Sequence, residues 1–258
     1  MNLMDPTKHS DWIEPHSIEW YKQLGKVHGK YEYSWQSTMT EPNGERQFDE
    51  EVLHIISSKK VLDVGCGHGE FTVQCGHYAK EVIGFDLTDD FIETGNSLYA
   101  ENVSFVVGSS KIGLPFEQNT FDCAYIRKGP TSAYPLLRGV VKKGGHVIGL
   151  HPGDDSGKEL PLIFPQLFKE STADTLQLVK DRLAISHFTK AQIDIVDSIE
   201  YLQSPLDVIK LRCFGQNPSI INALIAENME KITRLFEINA TSKGLPITFQ
   251  RYIVRAVI

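Results

Sequence analysis

The chain has 258 residues, 41% hydrophobic and 23% charged, enough to bury a sizeable core as one large α/β domain or two small ones, and a composition that excludes disordered and fibrous chains. With 26 Lys and Arg against 33 Asp and Glu, the net charge of −7 argues against broad electrostatic attachment to nucleic acid, leaving only local basic pairs at Arg127-Lys128 and Lys142-Lys143. No apolar run approaches the ~20 residues that cross a bilayer, and the polar, acidic start lacks the pattern of a signal peptide, so a cytoplasmic protein without membrane attachment is expected. Cys66, Cys75, Cys123 and Cys213 are too scattered for a zinc ribbon and too few for a disulfide scaffold, so reduced thiols and no metal site are expected.

Residues 1–50 read as an irregular or helical lead-in rich in aromatic groups (Trp12, Trp20, Tyr21, Tyr31, Tyr33, Trp35), ending in the turn signal Glu41-Pro42-Asn43-Gly44. Val52, Leu53, Ile55 and Ile56 then fall at helical spacing, just ahead of the apolar run Lys60-Val61-Leu62-Asp63-Val64. Helix 69–78, strand 81–86, helix 89–99 and strand 103–107 follow in the alternation that a parallel sheet requires. Strand 121–126, a short helix over Ser132 to Arg138 and strand 146–150 continue it. Residues 152–190 contain a loop and apolar helical material from Leu160 to Phe168, expected to cap the sheet or a pocket. A strand within 191–202, a helix opened by Ser204-Pro205, a long helix over Pro218 to Ile238 and a strand over 247–257 complete the chain.

The chemistry is concentrated in Val61-Leu62-Asp63-Val64-Gly65-Cys66-Gly67-His68-Gly69-Glu70, where an apolar strand runs straight into a loop with glycine at alternate positions and then into a helix. Such a loop turns sharply and lets a ligand touch backbone N–H groups. A dinucleotide fingerprint would need a third glycine where Glu70 stands, and the Gly-Lys-Ser/Thr of a phosphate loop is absent. Asp63, inside the strand, suits a cofactor bearing an ammonium group better than one bearing pyrophosphate. Strand 81–86 ends in Gly84-Phe85-Asp86-Leu87, which places Asp86 17 residues beyond Gly69, where its two oxygens can accept both hydroxyls of a ribose.

These residues resemble the class I S-adenosylmethionine (SAM)-dependent methyltransferases, whose first motif is an apolar strand, an acidic residue and Gly-x-Gly-x-Gly. The resemblance covers residues 50–151 and extends to Leu114-Pro115-Phe116 followed by Phe121-Asp122. It implies SAM as cofactor, S-adenosylhomocysteine as product, and a set of cofactor-binding residues: Asp63, Gly65, Cys66, Gly67 and Gly69 at the methionine end, Asp86 on the ribose, and Leu87 beside the adenine. Ser109 and Ser110 stand where the family usually shows an Asp, and a serine can still hydrogen-bond the adenine edge. A looser similarity runs to the ribosomal-RNA guanine-N1 methyltransferases, but those carry a four-cysteine zinc module and this chain has no cysteine before Cys66.

The implied fold is a doubly wound, Rossmann-like, seven-stranded and mostly parallel α/β sheet, with the terminal antiparallel strand placed between strands five and six. One domain over 1–258 is expected, with 1–50 as lead-in or lid, 51–151 as cofactor core, 152–190 as cap and 191–258 completing sheet and helices. Ligands of such sheets lie outside the carboxyl ends of the strands, which offers Arg127, Lys128, Tyr134 and His151 to the acceptor. His151 and Arg127 are the candidate catalytic residues, and Arg127 is also a candidate cofactor contact. A small-molecule acceptor is expected, with RNA as the alternative and a non-catalytic SAM-binding protein as the third reading.

Overall fold

The computed structural model describes residues 3–258. In chain order the elements are α1 (Ile18–His28), β1 (Ser37–Met39), α2 (Gly44–Ile55), β2 (Lys60–Val64), α3 (Glu70–Gly76), β3 (Glu81–Asp86), α4 (Asp89–Ser97), β4 (Val103–Val107), β5 (Phe121–Arg127), α5 (Tyr134–Val140), β6 (Val141–Pro152), α6 (Leu160–Ile163), α7 (Thr175–Ser186), β7 (Lys190–Leu202), α8 (Pro205–Arg212), α9 (Pro218–Asn239) and β8 (Leu245–Val257). The strands hydrogen-bond in the order β1-β7-β8-β6-β5-β2-β3-β4. The pairs β2/β3, β2/β5, β3/β4 and β5/β6 are parallel, while β6/β8 and β1/β7 are antiparallel. The mixed α/β sheet thus matches the sequence expectation, including β8 between β6 and β7. It has eight strands instead of seven because β1, three residues in the lead-in, pairs with the end of β7.

Two compact units divide the chain. The first comprises 44–154, 174–196 and 251–258. Its central strand β2 is buried on both faces: Leu62 and Val64 join a cluster with Ala124, Ile126, Tyr134 and Leu137, while Val61 joins Phe48, Val52, Cys123 and Tyr125. This is the continuous apolar pattern of a parallel strand covered by helices, and each fully buried aliphatic side chain contributes about 1.5–3 kcal/mol. Helix α7, within the segment expected to cap the sheet, packs on α5 and buries Val179 in the first of these clusters.

The second unit comprises residues up to Asn43 with 155–173 and 197–250. Helix α9 presents Ile220, Leu224, Asn228, Ile232 and Phe236 to its core, a stripe at every fourth residue. The buried Asn228 is satisfied by a backbone: its Oδ1 accepts from Met4 N–H and its Nδ2 donates to Met4 O. Trp20, Tyr31, Tyr33 and Trp35 pack around Phe214 with ring centroids 5.1–5.8 Å away. Trp35 also donates from Nε1 to Glu200 at 2.8 Å and packs against the core of its unit, while Trp20 is buried outright. Among the described residues no helix is long and apolar enough to cross a membrane.

Candidate active site

The glycine loop leaves β2 under backbone control. Gly65 and Cys66 N–H both donate to Phe85 O, at 2.7 and 3.2 Å, which fastens the loop to the end of β3. Gly65, Gly67 and Gly69 have φ of 78, 56 and 80°, the left-handed region that glycine enters at least cost. They differ in what surrounds them. A Cβ on Gly65 would lie 2.7 Å from Gly129 Cα, whereas one on Gly67 would meet nothing within 4 Å. Gly65→Ala is therefore expected to cost about 2–4 kcal/mol of stability and Gly67→Ala only about 1 kcal/mol, as compared by urea midpoints. Equal midpoints for the two variants would contradict this account of the loop.

Asp86, at the end of β3, holds the loop from the other side. Its Oδ2 accepts from Gly67 N–H and its Oδ1 from Thr88 N–H, both at 2.9 Å, while its carbonyl accepts Gly108 N–H from the end of β4 at 2.8 Å. Burial raises its pKa above the ordinary carboxylate value, against the pull of those backbone hydrogen bonds. Both oxygens retain lone pairs for further donors. Leu87 beside it is 44% exposed, an apolar side chain left open at the strand end. In the next loop, Ser109 Oγ accepts Lys111 N–H at 3.3 Å and Ser110 Oγ shares a 2.7 Å hydrogen bond with Ser132 Oγ.

Asp63 is the acidic residue of β2 and is 2% exposed. Alternation puts it on the same face as Val61, and the β2/β5 register places it opposite Tyr125. Its Oδ2 accepts from Thr72 Oγ1 at 2.7 Å and from Tyr125 OH at 2.8 Å. Its Oδ1 is buried without a hydrogen-bond partner. Burial raises the Asp63 pKa to about 7, opposed by the two hydroxyls and by the Arg127 charge. A buried acceptor left unmatched costs about 1–3 kcal/mol, so the site fits a ligand that brings a cationic donor, such as an amine. The acceptor set, with carboxylates on β2 and β3, together with the open space over Gly67, fits a nucleoside carrying an amino-acid chain.

The other loop residues are occupied locally. The Cys66 Sγ lies 3.7 Å from Gly67 O, and burial pushes its thiol pKa well up, so no thiolate nucleophile forms there. His68 Nε2 meets Glu70 Oε2 at 3.1 Å.

Arg127 and Lys128, at the end of β5, are engaged by α2. Arg127 makes a bidentate pair with Asp49 (2.7 and 2.9 Å), lies 3.8 Å from Glu45 and sits over the Phe71 ring. Lys128 and Arg251 also reach Glu45, at 3.2 and 2.9 Å, and these three cations hold the Glu45 pKa down at about 2 despite burial. Arg127→Ala is expected to cost about 2–3 kcal/mol by leaving Asp49 without its bidentate partner, and an unchanged urea midpoint would refute that structural role.

His151 is sealed where an open base was expected. It is 2% exposed, because β6 continues past it and pairs it with Tyr252 of β8. Its Nε2 lies 2.8 Å from the hydroxyl of the buried Tyr134, and burial lowers its pKa to about 4, which keeps it neutral. Gly149 makes the contact possible, since a Cβ there would sit 1.8 Å from that hydroxyl. The structure thus brings Asp63, the glycines and Asp86 together and sets His151 in the core. Sequence reasoning missed Thr72, Tyr125, Glu45 and Asp49.

Residues 61–145 match the family of the methyltransferase domain. The chain is 32% identical over 112 residues to an uncharacterized methyltransferase of Schizosaccharomyces pombe, covering 36% of this chain and 40% of that protein. It is also 32% identical over 75 residues to phosphoethanolamine N-methyltransferase 1 of Caenorhabditis elegans, covering 28% and 16%. The matched regions thus span less than half of these relatives' lengths. Among solved structures, a functionally unknown protein of Deinococcus radiodurans superposes with a TM-score of 0.65 at 20% identity, over 93% of this chain and 99% of that one. The YcgJ protein of Bacillus subtilis superposes with a TM-score of 0.55 at 19% identity, over 82% and 98%. These two likenesses show the fold.

Proposed function

We propose that the protein, whose residues 61–145 match the methyltransferase domain family, acts as a class I SAM-dependent methyltransferase that binds SAM and methylates a small-molecule acceptor. The observation that carries the reading is Asp63 Oδ1, a buried carboxylate oxygen without a partner at the start of the glycine loop. In this reading Asp63 and the backbone of Gly65, Cys66, Gly67 and Gly69 hold the methionine end. Asp86 accepts the ribose hydroxyls, and Leu87, Ser109 and Ser110 flank the adenine. The cofactor supplies an electrophilic methyl group on a sulfonium.

The protein's own share is placement in a water-poor site, which can lower the barrier by several kcal/mol. His151 is neutral with a pKa of about 4 and Arg127 is paired with Asp49, so neither is assigned as a base. The acceptor class is supported by the name of the Caenorhabditis elegans relative, a phosphoethanolamine N-methyltransferase, and by this chain's net charge of −7, which disfavours RNA.

Incubation with methyl-labelled SAM and fractionated small metabolites tests the reading. Label transferred to a small molecule in proportion to enzyme supports it. Label in a ribonuclease-sensitive polymer redirects it to RNA, and cofactor binding without any transfer identifies a non-catalytic binding protein.

A further inference from the structure

The hydroxyls of Thr72 and Tyr125 have no part in the reading above, yet they spend the hydrogen-bonding capacity of one Asp63 oxygen and leave the other without any partner. The two come from different elements, α3 and β5, and converge on the same atom, Oδ2, at 2.7 and 2.8 Å. A buried carboxylate needing stabilisation alone would be better served by a donor on each oxygen. The division instead fixes the rotation of the carboxylate about χ2 and keeps Oδ1 in reserve.

We propose that Thr72 and Tyr125 are positioning residues that hold Asp63 with Oδ1 presented to the ammonium group of the cofactor's amino-acid chain, and so make the site selective for that end of the ligand. The inference rests on the SAM reading and extends it to two residues that would touch Asp63 and not the cofactor. The groups facing this carboxylate are, on β5, Tyr125 and the Arg127 charge; on α3, Thr72 with Cys75 against the tyrosine hydroxyl; and, on β3, Asp86. Arg127 is itself paired with Asp49 of α2. Deleting either hydroxyl frees the carboxylate to turn and to draw Oδ1 toward the remaining donor.

The test uses two ligands that differ at one end. S-adenosylhomocysteine carries adenosine and the amino-acid chain, whereas methylthioadenosine carries adenosine and no ammonium. Calorimetric titration of the full chain is expected to show that Tyr125→Phe and Thr72→Val each weaken S-adenosylhomocysteine binding about ten- to a hundredfold while shifting methylthioadenosine by less than about twofold. Tyr125→Phe keeps the ring in its buried place and Thr72→Val keeps the shape, so a variant that fails to fold leaves the other to decide. Unchanged S-adenosylhomocysteine affinity in both would overturn the proposal, as would an equal loss for the two ligands, the mark of a merely structural role. A wild type that binds neither ligand would overturn the SAM reading itself and the inference with it.

Discussion

Asp86→Ala is expected to weaken S-adenosylhomocysteine binding by at least about a hundredfold, because it removes two charge-assisted acceptors worth about 1.5–3 kcal/mol each. The same carboxylate anchors Gly67 and Thr88 N–H, so the substitution also releases the loop that is to receive the ligand. Asp86→Asn separates the effects. It retains one carbonyl acceptor and one possible anchor, and an intermediate loss of about tenfold is expected. Titration calorimetry of both variants checks the order wild type, Asn, Ala. An alanine variant within about threefold of wild type would remove Asp86 from the ribose site.

The second large effect is at Asp63, where binding and stability pull in opposite directions. The unfolded chain gives up this proton near the ordinary 3.8, the folded chain only at about 7. The folded state therefore holds the extra proton between those values. The stability it brings is fully present below the lower value and is lost as pH rises to the upper one. Asp63→Asn escapes that loss, so near pH ~8 the variant should be more stable than ligand-free wild type by up to about 4 kcal/mol, a gain that shrinks toward pH ~4. Urea denaturation across that range measures it. Ligand binding should move the other way, since the ammonium group favours the ionised carboxylate. Wild-type affinity for S-adenosylhomocysteine should rise with pH by close to tenfold per unit on the acid side of about 7, and Asp63→Asn should both lower it and flatten the dependence. A wild-type affinity independent of pH through that window would contradict an Asp63–ammonium contact.

Much of this arrangement is legible in the sequence because it depends on local spacing. The glycine loop follows an apolar strand directly, and Asp86 closes the next strand, so one βαβ unit fixes their neighbourhood before any long-range packing is known. The parallel strands follow from the same alternation and β8 is marked by its β-branched and aromatic residues, while the place of β8 in the sheet is implied only by the family resemblance.

The rest depends on register and burial. Asp63 and Tyr125 can each be assigned to a face by alternation, but that they stand opposite one another is a property of the β2/β5 pairing. Glu45 and Asp49 lie one helical turn apart on α2, which begins at Gly44, inside the segment whose Pro-Asn-Gly reads as a turn. His151 looks open because the fifth strand of the sequence reading ends at 150. In the structure the strand runs to Pro152 and β8 covers it, which turns a candidate base into a core histidine. The pair Ser37–Met39 and Glu200–Leu202 is too short on one side to show a strand period.

Titration calorimetry of the wild-type protein with SAM, S-adenosylhomocysteine and NAD tests the central claim most directly. Saturable binding of the first two near one equivalent per chain, with no heat from NAD, is the expected result. NAD binding, or no binding of either sulfur nucleoside, would contradict a SAM site built on Asp63, the glycine loop and Asp86.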